Sequence, residues 1–359
     1  MLVDRDLEHA NAKRKGLRIA LAVAVGFTWS VLSGAIIPFL GPLFAAQFLI
    51  GSSRPLPLPK ALGMAVLIVI TGAILQFITL MTGDRPPVLL LLLGLVYFIC
   101  FFLQANGKGG AAIFLVLVVG VMVPLMTVLN PEVGDAILSI LVQGVVSGTL
   151  LMWMAHALIP DRGSPAVETA AAAAHPHAGR YAIANTATLL ISVIACLTQD
   201  GLATAIVIPI TVASLLSQFD VAASARAAFG LVMVNLLGGL VASVAFALLQ
   251  VRPTPVFLFL FVLLAGLMFG GRAALSDPAA KLYAGALTIF LVVFGTGVSP
   301  LPGSAAESFS TRITYILAAI SYTIFMAALL WPGSKRDTVL MPAENREPPF
   351  PHPNLSPGR

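Results

Sequence analysis

The chain has 359 residues, of which 58% are hydrophobic and only 10% charged, with a formal net charge of +5. Soluble chains carry about 25% charge, and a soluble core of this length could not hide so much apolar surface, so the composition places the chain in a membrane. The basic excess is then a matter of orientation, to be read loop by loop, and not a nucleic-acid footprint. The two cysteines, Cys100 and Cys196, both sit inside apolar runs, which argues against a disulfide framework or a zinc site.

A basic tail over residues 1–16 leads into the first apolar run. A helix needs about 20 apolar residues to cross the hydrocarbon. Lipid offers no partners for open backbone groups, so each run is read as a helix. In chain order the runs are 17–33, 35–51, 60–82, 86–105, 110–129 and 134–158. After a linker at 161–179 come 181–199, 201–218, 226–250, 254–273, 279–298 and 311–331. The expected fold class is an all-α membrane protein with about twelve transmembrane helices. At Ser33-Gly34 and Asp200-Gly201 two runs share almost no loop, which leaves re-entrant or tilted helices open there. The first run is long for a cleavable signal and is followed at once by a second, so it reads as a retained span. "NGKGG" at 106–110 reads as a turn, lacking the spacing of a phosphate loop. The tail over 333–359 is polar and proline-rich and is expected to be disordered.

Loop charges test that count. With the N-terminus inside, the inner segments hold 17 of the 20 basic residues, and only Arg85, Arg252 and Arg312 fall outside. The positive-inside rule expects this asymmetry, so both termini are read as cytosolic.

The chain also echoes itself. Arg85-Pro86 and Arg252-Pro253, 167 positions apart, each open a long apolar run. "IIPFLGPLFAAQF" matches "VIPITVASLLSQF" at 171, pairing Pro38 with Pro209 and Gln47 with Gln218. Gly63 and Gly72 pair with Gly230 and Gly239 at 167, and "IFLV" at 113–116 pairs with "IFLV" at 289–292. The reading is two six-helix membrane halves, 17–160 and 180–332. Six is even, so both halves start on the same side and the repeats are parallel, related by an axis along the membrane normal. Secondary transporters are commonly built from such repeats, with the substrate route between them.

Ionisable groups at membrane depth mark proton coupling. Asp200 and His156 are the candidates, against plainer readings as a capping turn and an interfacial ring. Asp135 reads as a helix N-cap. Amides are more numerous within the runs: Gln47 and Gln218 at equivalent inner ends, with Asn235, Gln143 and Asn185 deeper. They either bond across helices or line a polar route. Arg54 and Arg226, just beyond the two glutamines, would form an anion-attracting inner rim. Gly144-xxx-Gly148 and Gly266-xxx-Gly270 read as close helix contacts. His175 and His177 make too weak a pair for metal, so no metal or cofactor is expected.

The basic N-tail running into "RIALAVAVG", the short hairpin into "IIPFLGPLFAAQFL" and the small-residue helix "ALGMAVLIVITGAIL" together resemble the fusaric acid resistance and aromatic acid exporter group of bacterial inner-membrane proteins. The linker is short where many of that group carry a large cytosolic domain, so a compact subfamily is the nearer match. The resemblance implies export of small, often aromatic, carboxylic acids, sometimes beside a periplasmic adaptor protein. It carries no site residue over.

The leading expectation is therefore a secondary exporter of small aromatic or amphipathic organic anions across the bacterial inner membrane, and not an enzyme. The alternatives are a membrane scaffold or assembly subunit and, least favoured, an intramembrane lipid-modifying enzyme. The expected partners are membrane lipids and the anion, with an adaptor and a homo-oligomer as further candidates and no nucleic acid.

Overall fold

The computed structural model describes residues 2–52, 54–108, 110–129, 131–160, 177–198, 207–218, 225–275, 279–299 and 309–330. Every regular element among these residues is a helix, with no strand among them. In chain order the helices are α1 (Leu2–Leu32), α2 (Leu40–Gly51), α3 (Leu58–Thr82), α4 (Pro86–Ala105), α5 (Gly110–Leu129), α6 (Pro131–Leu158), α7 (Ala178–Leu197), α8 (Val207–Gln218), α9 (Ala225–Val251), α10 (Pro255–Ala273, with a π-helical turn at Gly266–Gly270), α11 (Ala280–Val298) and α12 (Phe309–Leu330). The linker, the Asp200-Gly201 hairpin and the C-terminal tail lie outside the described residues.

Among the described residues, seven helices are long and apolar enough to cross a membrane: α1 over Ala10–Leu32, α3, α4, α6 over Glu132–Leu158, α7, α10 and α11. Leu40–Gly51, Ala112–Val128, Ile208–Ser217 and Leu236–Val251 are shorter apolar stretches. Large apolar side chains cover the outward faces, among them Phe77 on α3, Leu91 on α4, Leu240 on α9 and Leu264 on α10. A surface this apolar is suited to lipid. The molecule is thus a multi-pass helical membrane protein.

One expected span is corrected. The run 35–51 is expected as one span, with a re-entrant or tilted helix left open at Ser33-Gly34, and α2 has only 12 residues, about 18 Å at 1.5 Å per residue. Residues 33–39 form turns instead. Gly34 takes φ +72, the left-handed position in which glycine ends helices. Its N–H donates to the Val31 carbonyl at 3.1 Å, and the N–H of Ala35 donates to the Ser30 carbonyl at 3.0 Å. Pro38 then disfavours helix at Ile37. Ile37 and Phe39 are nonetheless buried, so hydropathy at this point records burial rather than helix. The "NGKGG" turn is as expected: α4 stops at Ala105 and Gly107 takes φ +69.

Packing divides the helices into matching groups. Helices α1, α2 and α6 are in mutual contact, as are α7, α8 and α12. Helix α3 packs on α4, α5 and α6, and α9 packs on α10, α11 and α12. Between the groups, α1 lies along α10 as α7 lies along α4, and α2 meets α11 as α8 meets α5. The middle is filled by α2, α5, α8 and α11: Leu40–Ala46 of α2 and Gly285–Gly295 of α11 are buried on every face.

Small residues set the closest approaches, as their spacing implied. A Cβ on Gly148 of α6 would stand 2.9 Å from Phe44 Cβ and 3.0 Å from the Ala45 nitrogen on α2. One on Gly266 would stand 2.8 Å from Ala20 Cα, and one on Gly270 2.7 Å from Ile19 Cγ2. The π-turn of α10 coincides with this contact against α1; such single turns are where a helix departs from regular winding to meet a local demand.

Two cations of α1 complete its group. Lys15 Nζ donates to the Ile50 carbonyl at 2.8 Å, and Arg18 Nε donates to the Ile159 carbonyl at 2.7 Å. Both carbonyls belong to helix C-terminal ends, where the backbone leaves acceptors open and the helix dipole favours positive charge. The base of the apolar part of α1 therefore meets the ends of α2 and α6, antiparallel to both.

Candidate polar site between the helix groups

Helix α2 carries its one long polar side chain near its end. Gln47 is half-buried, and its Nε2 donates to Thr288 Oγ1 of α11 at 2.9 Å. Thr288 Oγ1 in turn donates to the Ala284 carbonyl at 3.1 Å. The amide therefore crosses from the first group of helices to the second, and its partner is a hydroxyl already anchored to its own helix.

A second amide also crosses between the groups. Gln104, in the last turn of α4, donates from Nε2 to the Ser217 carbonyl at 2.6 Å. Ser217 is next to Gln218, the last residue of α8. The ends of α2 and α8 are thus each tied by a glutamine to the other group. Thr288 and Gln104 were both missed in the sequence. Gln104 had a signal: it is the single amide closing the apolar run "LLLLLGLVYFICFFL". Thr288 had none, since only the fold brings it 2.9 Å from a residue 241 positions away.

The other candidates scatter. Asn185 is wholly buried on α7. Gln143 is exposed on α6 and does not join the buried set. His156 is half-buried, with Nδ1 2.9 Å from the Met152 carbonyl one turn earlier. Arg54 is exposed in the loop after α2, where Ser52 Oγ donates to its carbonyl at 2.8 Å. Gln218 belongs to α8, and Arg226 and Asn235 to α9, with side chains outside the described set. Asp200 lies outside the described residues. Asp135 is not an N-cap: α6 begins at Pro131, and the carboxylate instead accepts from Gln76 Nε2 of α3 at 2.8 Å.

Arg18 also needs restating. It was counted among inner-segment charges, yet it is 2% exposed. Its guanidinium binds a helix end and is no part of an open rim. Cys100 and Cys196 are free and buried, and no cluster of three His, Cys, Asp or Glu side chains suited to a metal occurs among the described residues.

An amide that bridges two helix groups can hold them together, or release that bond to a passing polar ligand. Both uses exploit the same property, since the group donates and accepts at once. Compared with family models, with curated proteins and with solved structures, the chain finds no match.

Proposed function

We propose that the protein is a secondary exporter of small aromatic or amphipathic organic anions, built as two parallel six-helix repeats and resident in a bacterial inner membrane with both termini cytosolic. The proposal includes kinship with the compact fusaric acid resistance-like exporters. On this reading the two short helices α2 and α8 are repeat-mates at the centre, and the route runs between the groups that they bridge.

The observation that carries the reading is the pattern of helix contacts. Shift each helix by six, and α1–α2, α1–α6, α2–α6, α3–α5 and α4–α5 become α7–α8, α7–α12, α8–α12, α9–α11 and α10–α11, all of them contacts. The contacts between groups exchange in the same way: α1–α10 becomes α7–α4, and α2–α11 becomes α8–α5. Chance resemblance between apolar helices has no reason to produce that. The sequence echoes give the same correspondence, since Gln47 of α2 pairs with Gln218 of α8. Central short helices interrupted by proline are where repeat-built transporters place their sites. The exposed Arg54 would raise local anion concentration at the entrance.

Changing Gln47 and Gln218 together to leucine tests the route, because neither amide is needed for membrane insertion. Export of radiolabelled benzoate from cells should be lost while the protein remains in the membrane fraction. Full export by the stably inserted double variant would leave the two glutamines as packing groups. A reporter fused after Lys335 should be cytosolic and one placed between Glu132 and Val133 external; both on one side would break the twelve-span reading.

A further inference from the structure

The mutually packed helices α7, α8 and α12 bury an unusual number of oxygen-bearing side chains. Asn185, Thr188 and Ser192 of α7 are all 2% exposed or less, and their spacing puts them on one face of the helix. Thr211 of α8 is 1% exposed, and Thr323 of α12 is fully buried. Tyr322 of α12 donates its hydroxyl to the Thr188 carbonyl at 2.9 Å, which fixes α12 against the same stretch of α7.

The hydrogens in this set are largely committed. Thr188 Oγ1 donates to Ala184 O at 2.8 Å, Ser192 Oγ to Leu189 O at 2.7 Å and Thr323 Oγ1 to Ala319 O at 2.7 Å. A hydroxyl that spends its hydrogen on its own helix keeps its oxygen lone pairs for something else. Thr211 Oγ1 is buried without any hydrogen-bond partner, and an orphaned buried polar atom in a lipid-embedded bundle asks for an explanation. The α1–α2–α6 group buries Val23, Phe27, Phe44, Leu141 and Met152 and fewer hydroxyls, Thr149 and the oxygen of Thr28 among them, so as many polar groups as α7, α8 and α12 bury are not a requirement of this packing.

We infer that the α7–α8–α12 interior binds a monovalent cation of the sodium class, held by neutral oxygens of Asn185, Thr188, Ser192 and Thr211. Hard oxygen ligands suit an alkali or alkaline-earth ion rather than a transition metal. A set without a carboxylate suits single charge, because neutral dipoles do not offset the desolvation of a doubly charged ion in a low-dielectric interior. The inference does not depend on the export reading. Binding can be measured whether or not any anion moves.

The test uses the purified full chain in detergent, with thermal unfolding followed by intrinsic fluorescence at fixed ionic strength while choline chloride is replaced by sodium chloride. A ligand that binds only the folded state raises the midpoint with the logarithm of one plus its concentration over Kd. Wild type should show a midpoint that rises logarithmically with sodium above its Kd. Thr211→Val should lose the rise while keeping the choline midpoint of wild type, and Thr149→Val, a buried hydroxyl of α6, should keep it. Binding of radioactive sodium should follow the same order. Sodium and choline acting alike on wild type overturns the proposal, and so does an unchanged sodium response in Thr211→Val. Should Thr211→Val fail to fold, Ser192→Ala decides: a sodium response equal to wild type overturns the site, and a weakened one supports it.

Discussion

Helices α1, α2 and α6 are in mutual contact, as are α7, α8 and α12, yet the two groups are held by different chemistry. In the first, Gly41, Gly144 and Gly148 let α2 and α6 touch almost backbone to backbone, and Phe44 stacks on Phe48 at 6.5 Å. In the second, Asn185, Thr188, Ser192, Thr211 and Thr323 are buried among apolar side chains such as Leu189, Val193 and Leu215, and Tyr322 reaches across to the Thr188 carbonyl. Lipid tails are as apolar as leucine, so helices in a bilayer associate through close packing or through interhelical hydrogen bonds. The first group packs α2 on α6 closely and adds the Lys15 and Arg18 bonds to helix ends, whereas the second shows an interhelical bond at Tyr322 among its buried hydroxyls. On the proposed repeat, the position of each helix is what recurs along the chain, while the chemistry at that position differs.

The largest effect should come from the group that depends on close packing. Leucine at Gly148 must place its Cβ within 3.0 Å of the Ala45 nitrogen and the Gly41 carbonyl oxygen. These are backbone atoms and cannot swing aside. Gly148→Leu should therefore cost at least the roughly 1–3 kcal/mol of an overpacked core and abolish the monodisperse peak in size-exclusion chromatography. Gly179→Leu at the start of α7, where nothing lies within 4 Å, should elute as wild type. Similar losses from both would mean that the contrast between the groups is not one of packing.

The second effect concerns charge. Arg18 is buried and bonded to the end of α6, whereas Arg180 near the start of α7 is exposed. A hydrogen bond from a charged group is worth about 1.5–3 kcal/mol, so Arg18→Leu should lower the unfolding midpoint clearly. Arg180→Leu should leave the midpoint within error. Equal effects would show that both arginines act only through membrane orientation.

These two cases also mark how far the sequence could be read. The runs 86–105 and 110–129 coincide with α4 and α5 to the residue, because hydropathy is continuous inside them and Pro86, Gly107 and Gly110 punctuate their ends. The run 35–51 misled, since Ile37 and Phe39 are apolar, buried and not helical. Rotation about the helix axis was the harder problem. In a helix apolar on all sides no periodicity says which face is interior, which is why Gln143 was placed inside and proves exposed. Arg18 counted only as an inner-segment charge, because its partner, Ile159, stands 141 residues away. Gln47 was picked out by its echo with Gln218, but an echo names a position and not the hydroxyl waiting opposite.

The third prediction measures that bond. Gln47→Leu, Thr288→Val and the double variant form a cycle whose coupling isolates the Gln47–Thr288 interaction. Interhelical hydrogen bonds within membranes average about 0.6 kcal/mol in such cycles, and a coupling of that order is expected in reversible unfolding. Additive single effects would mean that the two side chains do not meet in the protein as it unfolds, and that the bridge from α2 to α11 is incidental.

The smallest effect belongs to the hydroxyl-bearing group. Tyr322→Phe removes one oxygen and leaves the ring in place. The Thr188 carbonyl loses the hydroxyl as a second donor, but it is a helix carbonyl whose i+4 amide, from Ser192, continues the α7 ladder. No backbone group is therefore orphaned, and the loss should not exceed about 0.6 kcal/mol. The unfolding midpoint should move by at most a degree or two. Size exclusion should be unchanged, in contrast to Gly148→Leu. A collapse of the folded state from this single oxygen would overturn the contrast drawn above: the second group would then be as intolerant as the first, with its hydroxyls acting as a cooperative network in which each bond depends on the rest.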